Sequence, residues 1–157
     1  MDDQQNGNDV FDLDIFDTKT KANEGIELKI YKPDGEFSGL YIRVLGSDSD
    51  QYQKLKRKQE KQRVKVLSRG GRDAVENLYE VDDINAIDLV VAATLGWRHE
   101  NGKPMPFDIG ADRKSAKAFY QQYPVAYNQV KYGISNPENF MKVSAEPSSD
   151  TQMPLSS

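Results

Sequence analysis

The sequence predicts an α+β fold in which an N-terminal β-hairpin of two or three strands packs on a small, mostly helical C-terminal bundle. Apolar residues alternate with polar ones over residues 26–30 and 40–44, on either side of the turn-forming Lys32-Pro33-Asp34-Gly35. This pattern is typical of two antiparallel strands joined by a turn. Over residues 82–97 the apolar residues instead recur at helical spacing around most of the circumference, which indicates a buried helix.

Residues 10–16 are the candidate for a third strand, because Phe11, Leu13 and Ile15 alternate with acidic residues. The pattern fits either an edge strand or a segment that becomes ordered on a partner, since chain ends are often mobile. Two strands alone are marginally stable in water. The hairpin is therefore expected to pack against a helix, and residues 82–97 are the expected partner.

A strongly basic helix is predicted over residues 50–69, with Ser47 or Asp48 as its cap and its end near Gly70-Gly71. Its expected apolar anchors are Tyr52, Leu55, Val66 and Leu67. Between them lie seven basic residues and a single acidic one, Glu60. Because the middle of this helix has no apolar stripe, we expect it to project from the core or to lie across it with one face exposed.

The central helix over residues 82–97 is expected to begin at Asp82 or Asp83 and to end at Gly96. A short helix over residues 73–81 is expected to lead into it. A strand over residues 89–95 is the competing interpretation, and the alanines and the capping residues favour the helix.

Two further helices are predicted in the C-terminal half. The first covers residues 109–122 with Asp108 as its cap, although Gly110 weakens its first turn. The second starts at Pro124, whose fixed φ suits the first position of a helix.

Composition divides the 157 residues into one domain and two polar ends. Residues 1–9 are expected to be a disordered acidic arm, residues 10–140 a single α+β domain and residues 141–157 a disordered tail. The first residues carry neither the basic start nor the apolar stretch of a secretory signal. No apolar run approaches the ~20 residues of a membrane span, so a soluble cytoplasmic protein that contacts no membrane is expected.

No catalytic, cofactor or metal constellation is recognisable. The chain has no cysteine and a single histidine, His99, in a polar stretch, and a lone histidine without cysteine does not make a zinc site of familiar spacing. Gly70-Gly71 lacks the lysine and serine of a phosphate-binding loop. We therefore expect no enzyme, no cofactor and no metal, and a protein that acts by binding.

The basic helix leaves three interpretations open. It can be a solvated helix kept soluble by its lysines, it can receive an acidic protein partner, or it can neutralise phosphates of nucleic acid. The net charge of −4 and the acidic N-terminus argue against nucleic acid. Tyr52 is the only aromatic residue within the basic run, which offers little for base stacking.

The order of the motifs resembles that of the tail assembly chaperones of long-tailed bacteriophages. A strand pair with a Pro–Gly turn is followed by Gly46-Ser47-Asp48-Ser49-Asp50, the basic helix, Gly96-Trp97, a loop ending Pro106-Phe107, and Asn139-Phe140. The similarity covers roughly residues 11–140. The chain departs from the pattern at Asp108-Ile109-Gly110 and at Tyr123-Pro124. These departures bear on the details of the loop and of the last helices, not on the overall resemblance.

The resemblance implies a non-catalytic chaperone that binds the tape measure protein, keeps it soluble and helps to recruit tail tube subunits. It implies action in the host bacterial cytoplasm and absence from the mature virion. Self-association and a longer frameshifted product are left open. The alternatives are a nucleic-acid-binding regulator that uses helix 50–69 and a structural head–tail protein.

The residues expected to bind the partner fall into two sets. The first set forms an apolar groove or its support: Leu95, Trp97, Phe107, Phe119 and Tyr120. The second set lies on the basic helix and is expected to meet acidic faces of the tape measure or tube protein: Arg57, Lys58 and Lys61.

Overall fold

The computed structural model describes residues 10–109 and 112–142, and it has the expected mixed α+β fold. The predicted acidic arm, the tail from residue 143 onward and Gly110 lie outside the described residues. The strands are β1 (Ile26–Tyr31), β2 (Phe37–Val44) and β3 (Thr94–His99). The helices are α1 (Lys19–Glu24), α2 (Asp50–Arg69), α3 (Arg72–Ala93), α4 (Arg113–Gln122) and α5 (Pro124–Ser135). Short 3-10 turns cover Leu13–Phe16 and Pro137–Phe140.

The sheet is antiparallel in the order β1-β2-β3, and the predicted hairpin is confirmed. Gly35 takes a φ of 90° in the turn, a conformation that favours glycine. One face of the sheet is buried because its inward positions are apolar in register, with Leu28 opposite Ile42 and Ile42 opposite Trp97. Leu28 and Ile42 belong to the buried core.

The third strand is β3, so the edge strand, one of the two alternatives for residues 10–16, is wrong. Leu13–Phe16 forms an exposed 3-10 turn, because the Asp12 side chain accepts a hydrogen bond from the Asp14 N–H at 2.9 Å. Such local side-chain bonds compete with a strand ladder. The alternative, ordering of this segment on a partner, remains a prediction.

The central helix differs from its prediction at both ends. It is one continuous helix, α3, that begins at Arg72 and ends at Ala93, so neither Asp82 nor Gly96 is a boundary. It ends early because the Thr94 hydroxyl donates to the Val90 carbonyl at 2.7 Å and the Arg113 guanidinium donates to the Val91 and Thr94 carbonyls. These side chains satisfy carbonyls that a helix C-terminus leaves unpaired.

Burial of α3 is also narrower than predicted. Near its C-terminal end Val90, Val91 and Ala93 are buried, whereas Ile84 is exposed. The expected all-round burial over residues 82–97 is therefore wrong.

Helix α2 has the predicted extent, but its cap is Ser49 and not Ser47 or Asp48. The Ser49 hydroxyl accepts from the Tyr52 N–H at 3.3 Å. It runs antiparallel to α3, with Gln59 donating to the Asn85 carbonyl at 3.0 Å and Arg63 paired with Asp82 at 3.4 Å. Residues 60–73 are exposed throughout. Residues 60–84 are called the projecting hairpin below.

Projection of the basic helix is therefore confirmed, while two of its expected anchors are wrong. Tyr52 and Leu55 are half-buried as predicted, but Val66 and Leu67 are exposed. They lie in the part of α2 that extends beyond the core.

The sheet packs mainly on α5. Residues 82–97, predicted to cover the hairpin, do so only at the C-terminal end of α3, where Val90 and Val91 join the core that contains Leu28. Gly133 lets α5 approach β1 closely, since a Cβ at this position would lie 2.5 Å from Leu28 Cδ1. The Gln129 amide bonds both backbone groups of Tyr31 on the edge of β1, at 2.8 and 2.9 Å. Pro124 occupies the first turn of α5 as predicted.

Helix α4 begins later than predicted and its cap is Asp112, not Asp108. The Asp112 carboxylate accepts from the Lys114 N–H at 3.0 Å and from the Ser115 hydroxyl at 2.6 Å. Ile109, expected as the first residue of the helix, instead precedes it and is fully buried in the core. Burial of Ile109 holds the loop against the core before the helix starts.

Candidate functional site

Three of the predicted groove residues form one aromatic cluster between the sheet and α4. The Trp97 ring lies 5.0 Å from Phe107 and 5.2 Å from Phe119, and the Phe107 and Phe119 rings are 6.4 Å apart. The Trp97–Phe119 and Phe107–Phe119 pairs meet edge to face, which is a favoured geometry of aromatic pairs. The structure therefore brings together residues from β3, the following loop and α4.

Trp97 connects the sheet to the loop. Its position opposite Ile42 turns the ring toward the helices. Its indole Nε1 donates to the Phe107 carbonyl at 2.6 Å. This hydrogen bond satisfies the polar edge of the ring. Because Trp97 is half-buried, part of its apolar surface remains accessible.

Two adjoining clefts run along this cluster and together form what we call the aromatic groove. The first, of about 530 Å³, is lined by Trp97 and Phe107 together with Met105 and Pro106. The second, of about 360 Å³, is lined by residues of β1 and of the start of α5. Both clefts share the lining residues Leu40, Phe119, Gln122 and Tyr123.

The rim of the groove was not predicted as a site from the sequence. Tyr123 and Val125 flank Pro124 and are 50% and 46% exposed. The signal was present in the chain, because two large apolar residues around a helix-starting proline form a first turn that only partly faces the core. Leu40, Met105 and Pro106 also line the groove and carried no such signal.

Tyr120 supports the groove from below and does not line it. It is 1% exposed, and its ring lies 5.4 Å from that of Phe119. Its hydroxyl is 2.7 Å from Thr94 Oγ1. Because the Thr94 proton is used on the Val90 carbonyl, Tyr120 is the donor. Burial raises the pKa of the Tyr120 phenol far above its ordinary value, against a smaller lowering by the Thr94 hydrogen bond.

Leu95 lies apart from the aromatic cluster. It stands at the irregularity in β3 between the residues that pair with Arg43 and Val44. Its side chain reaches Gly25, where an added Cβ would lie 2.9 Å from Leu95 Cδ1. Leu95 lines neither cleft of the groove.

The basic residues of the second predicted set are close to one another and separate from the groove. Arg57, Lys58 and Lys61 are exposed on α2. They line a cleft of about 540 Å³ with Leu55 and Ala92. This cleft shares no lining residue with the aromatic groove, so the two predicted sets are two surfaces.

The outer face of the sheet carries a second aromatic and charged cluster that was not predicted. Arg98 bonds both carboxylate oxygens of Glu27, at 2.7 and 2.9 Å, and its guanidinium lies 4.2 Å from the centre of the Tyr41 ring. The Tyr41 ring is 5.2 Å from Phe37. The hydrogen bond from Arg98 lowers the pKa of Glu27, against a smaller opposing effect of burial.

His99 belongs to the sheet rather than to a chemical site. Its Nδ1 accepts from the Asn101 N–H at 3.2 Å, and its ring lies against Gly39. In the described ranges, no group of three or more histidine, aspartate or glutamate side chains is arranged to hold a metal ion. None of the helices described combines the length and the apolar character needed to cross a lipid bilayer.

No protein-family model, no curated protein and no solved structure matches this chain.

Proposed function

We propose that the protein is a tail assembly chaperone of a long-tailed bacteriophage. In this proposal it binds apolar segments of the tape measure protein, keeps that protein soluble in the host bacterial cytoplasm and helps to recruit tail tube subunits. It makes and breaks no covalent bond, and it leaves before the virion is complete. The motif order described above and the aromatic groove support the proposal.

The observation that carries the proposal is the groove itself. It is lined by the rings of Trp97, Phe107 and Phe119 and bordered by the partly exposed Tyr123 and Val125. An amphipathic helix binds such a groove through apolar residues spaced three and four apart. A tape measure protein, which is long, helical and apolar on stripes, is a partner of this chemistry.

The basic cleft on α2 suits a second contact with the same assembly. Arg57, Lys58 and Lys61 are exposed and adjacent. Charges of this kind increase the rate of encounter and select the orientation of an acidic partner. In the proposal this surface meets acidic faces of the tape measure or tail tube protein.

Co-expression with the tape measure protein of the same phage tests the proposal directly. We expect the soluble fraction of the tape measure protein to rise strongly when this chain is present. Equal solubility with and without the chain would refute the chaperone function.

The groove can be tested with a rim variant that leaves the buried rings in place. Tyr123→Lys combined with Val125→Lys puts two charges where an apolar stripe would bind, so binding of the tape measure protein should fall at least about tenfold, or 1.4 kcal/mol. Ile84→Lys is the matched control, since Ile84 is similarly exposed and lies on α3 away from the groove. Equal binding by the rim variant and the control would remove the groove from the interface.

The basic cleft has its own variant. Reversal of charge at Arg57, Lys58 and Lys61 should weaken retention of the tape measure or tube protein in a pulldown, and more at low than at high salt. Unchanged retention would exclude this face of α2 from the contact.

A nucleic-acid-binding regulator remains the alternative, because α2 contains eight basic residues that could neutralise phosphates. The neighbouring helix weakens it, because α3 carries six acidic residues beside that basic surface. A gel shift at two salt concentrations separates the two functions. Binding that is tight at low salt and falls steeply with added salt would favour the regulator, and retention in purified particles would favour a structural head–tail protein.

A further inference from the structure

The end of the projecting hairpin carries an apolar patch that the proposed function does not use. Two of its members are on α2 and two on α3, and they are 64%, 43%, 52% and 78% exposed: Val64, Leu67, Val75 and Tyr79. Exposed apolar clusters of this kind mark surfaces that bind a protein. The patch shares no residue with the aromatic groove.

The four residues lie on the same side of the hairpin. The seam between the two helices is marked by Gln59 against Asn85 and by Arg63 against Asp82. It continues to the tip, where a Cβ at Gly70 would lie 2.0 Å from the Ala74 Cβ.

Successive residues of an α-helix are rotated by about 100° around its axis. When each helix is viewed from its N-terminus to its C-terminus, its patch residues are rotated from the seam in the same direction. In an antiparallel pair this places them on one face of the hairpin. Ile84 is turned in the opposite sense and lies on the other face.

The two helices that carry the patch have opposite charge. Helix α2 contains eight basic and two acidic residues, whereas α3 contains six acidic and one basic residue. At the outer edges of the patch lie Arg57 and Lys61 on α2, and Glu76 and Asp83 on α3. The same face also carries one charge of opposite sign on each helix, Glu60 on α2 and Arg72 on α3. The face is therefore predominantly basic along one edge and predominantly acidic along the other.

We propose that this patch binds the same patch of a second copy of the chain. A two-fold axis parallel to the hairpin places α2 of each copy over α3 of the other, so each basic edge meets an acidic edge and the four helices enclose the apolar residues. The interface is self-complementary, as a two-fold dimer requires. The alternative two-fold arrangement, with an axis across the hairpin, would place α2 over α2 and bring like charges together.

Analytical ultracentrifugation tests the dimer. We expect the wild-type chain to shift from monomer to dimer as its concentration rises from about 1 to about 100 µM, the range in which specific association of moderate strength appears. Val75→Glu combined with Tyr79→Glu should remain monomeric throughout.

Ile84→Glu is the control, because it places a glutamate at an exposed apolar position on the opposite face and should leave the dimer intact. Circular dichroism checks that each variant is folded. A wild-type chain that stays monomeric, or a dimer that survives the double variant, would overturn the proposal.

Cysteine pairing tests the orientation, and the absence of native cysteine makes the readout clean. Leu67→Cys and Val75→Cys proteins are purified separately, mixed and oxidised. We expect mixed disulfides between the two variants to exceed disulfides formed by either variant alone. A predominance of Leu67→Cys homodimers would overturn the arrangement in which α2 lies over α3. Because Arg57 and Lys61 also line the basic cleft, the dimer and an acidic partner compete for these two residues. Failure of either test leaves the groove proposal standing, because the patch and the groove are separate surfaces.

Discussion

Single side chains at the junction of α3, β3 and α4 decide how the aromatic groove is supported. Thr94 ends α3 by donating to the Val90 carbonyl and receives the Tyr120 hydroxyl proton. Thr94 is fully buried, so each polar group there needs a partner. The junction beneath the groove is thus held by a short chain of hydrogen bonds as well as by apolar packing.

Tyr120→Phe tests this chain. It removes the only donor to Thr94 Oγ1 that the described residues provide and should lower the free energy of unfolding by about 0.5–1.5 kcal/mol. Urea denaturation measures the change. Tyr79→Phe, at an exposed site, should leave the free energy of unfolding unaltered, and an equal loss in both variants would contradict the assignment.

The Glu27–Arg98 pair predicts a pH dependence of stability. The folded state lowers the pKa of Glu27 below its ordinary value of 4.5, so the pair contributes stability above that value and loses it as pH falls through the folded pKa. Both side chains are more than a third exposed, so screening by solvent keeps the contribution small.

Glu27→Gln should therefore be less stable than wild type at neutral pH, and the difference should shrink at about pH 3. Denaturation midpoints at the two pH values measure it. Glu100→Gln, at the exposed end of the same sheet, is the control. A difference that grows on acidification would show that the pair does not stabilise the folded state.

At the scale of elements, the edge of β1 depends on a side chain from α5. Gln129 pairs with both backbone groups of Tyr31 and also donates to the Val125 carbonyl at 3.1 Å. It thereby joins the sheet to the helix that covers it. It also occupies hydrogen-bonding groups that an exposed strand edge would offer to another chain.

Gln129→Ala is expected to lower the free energy of unfolding by about 1–3 kcal/mol, because it leaves partly buried backbone groups without a protein partner. It should also raise aggregation through the uncovered edge. Chemical denaturation and light scattering measure the two effects. Gln121→Ala, at an exposed position of α4, should change neither, and an unchanged stability of Gln129→Ala would show that water replaces the amide.

At the scale of the whole molecule, the chain divides into a packed body and the projecting hairpin. The body contains the sheet, α4, α5 and the C-terminal end of α3. Residues 60–73 of the hairpin are exposed, and apolar burial supplies most of the stability of a helix in a protein. The projecting hairpin is therefore expected to have a lower local stability than the body.

Hydrogen exchange measures that difference. Amides of residues 61–77 should exchange at least about tenfold faster than those of β2, because local opening of the hairpin costs less free energy than opening of the core. Raising the protein concentration should slow exchange in the hairpin if its tip dimerises. Equal protection of hairpin and β2 in dilute protein would contradict the division.

An element could be predicted from the sequence when the residues that determine it lie close together in the chain. The hairpin strands, the Pro–Gly turn, the extent of α2 and the start of α5 at Pro124 follow from alternation, turn chemistry and helix punctuation, and all are confirmed. A short helix over residues 73–81 was predicted, but its continuity with the central helix was missed because Asp82 and Asp83 look like a cap. An internal acidic pair and a helix start have the same composition.

The groove was predicted only in part, because residues 94–97 were assigned to a helix and not to a strand. Trp97, Phe107 and Phe119 were selected as apolar residues, and the structure places them in one cluster. Leu95 was selected on helical spacing, but β3 turns it toward Gly25. One misassigned element therefore moved one residue of the predicted site.

The sequence alone determined the elements whose causes are contained within a few residues, together with the basic character of α2 and the apolar supply of the core. Only the tertiary structure decided that residues 94–99 form a strand, that α5 covers the sheet and that Val66 and Leu67 are exposed. The reason is physical. A strand such as β3 is stabilised by its pairing with β2, about fifty residues earlier in the chain, and this pairing outweighs local preference.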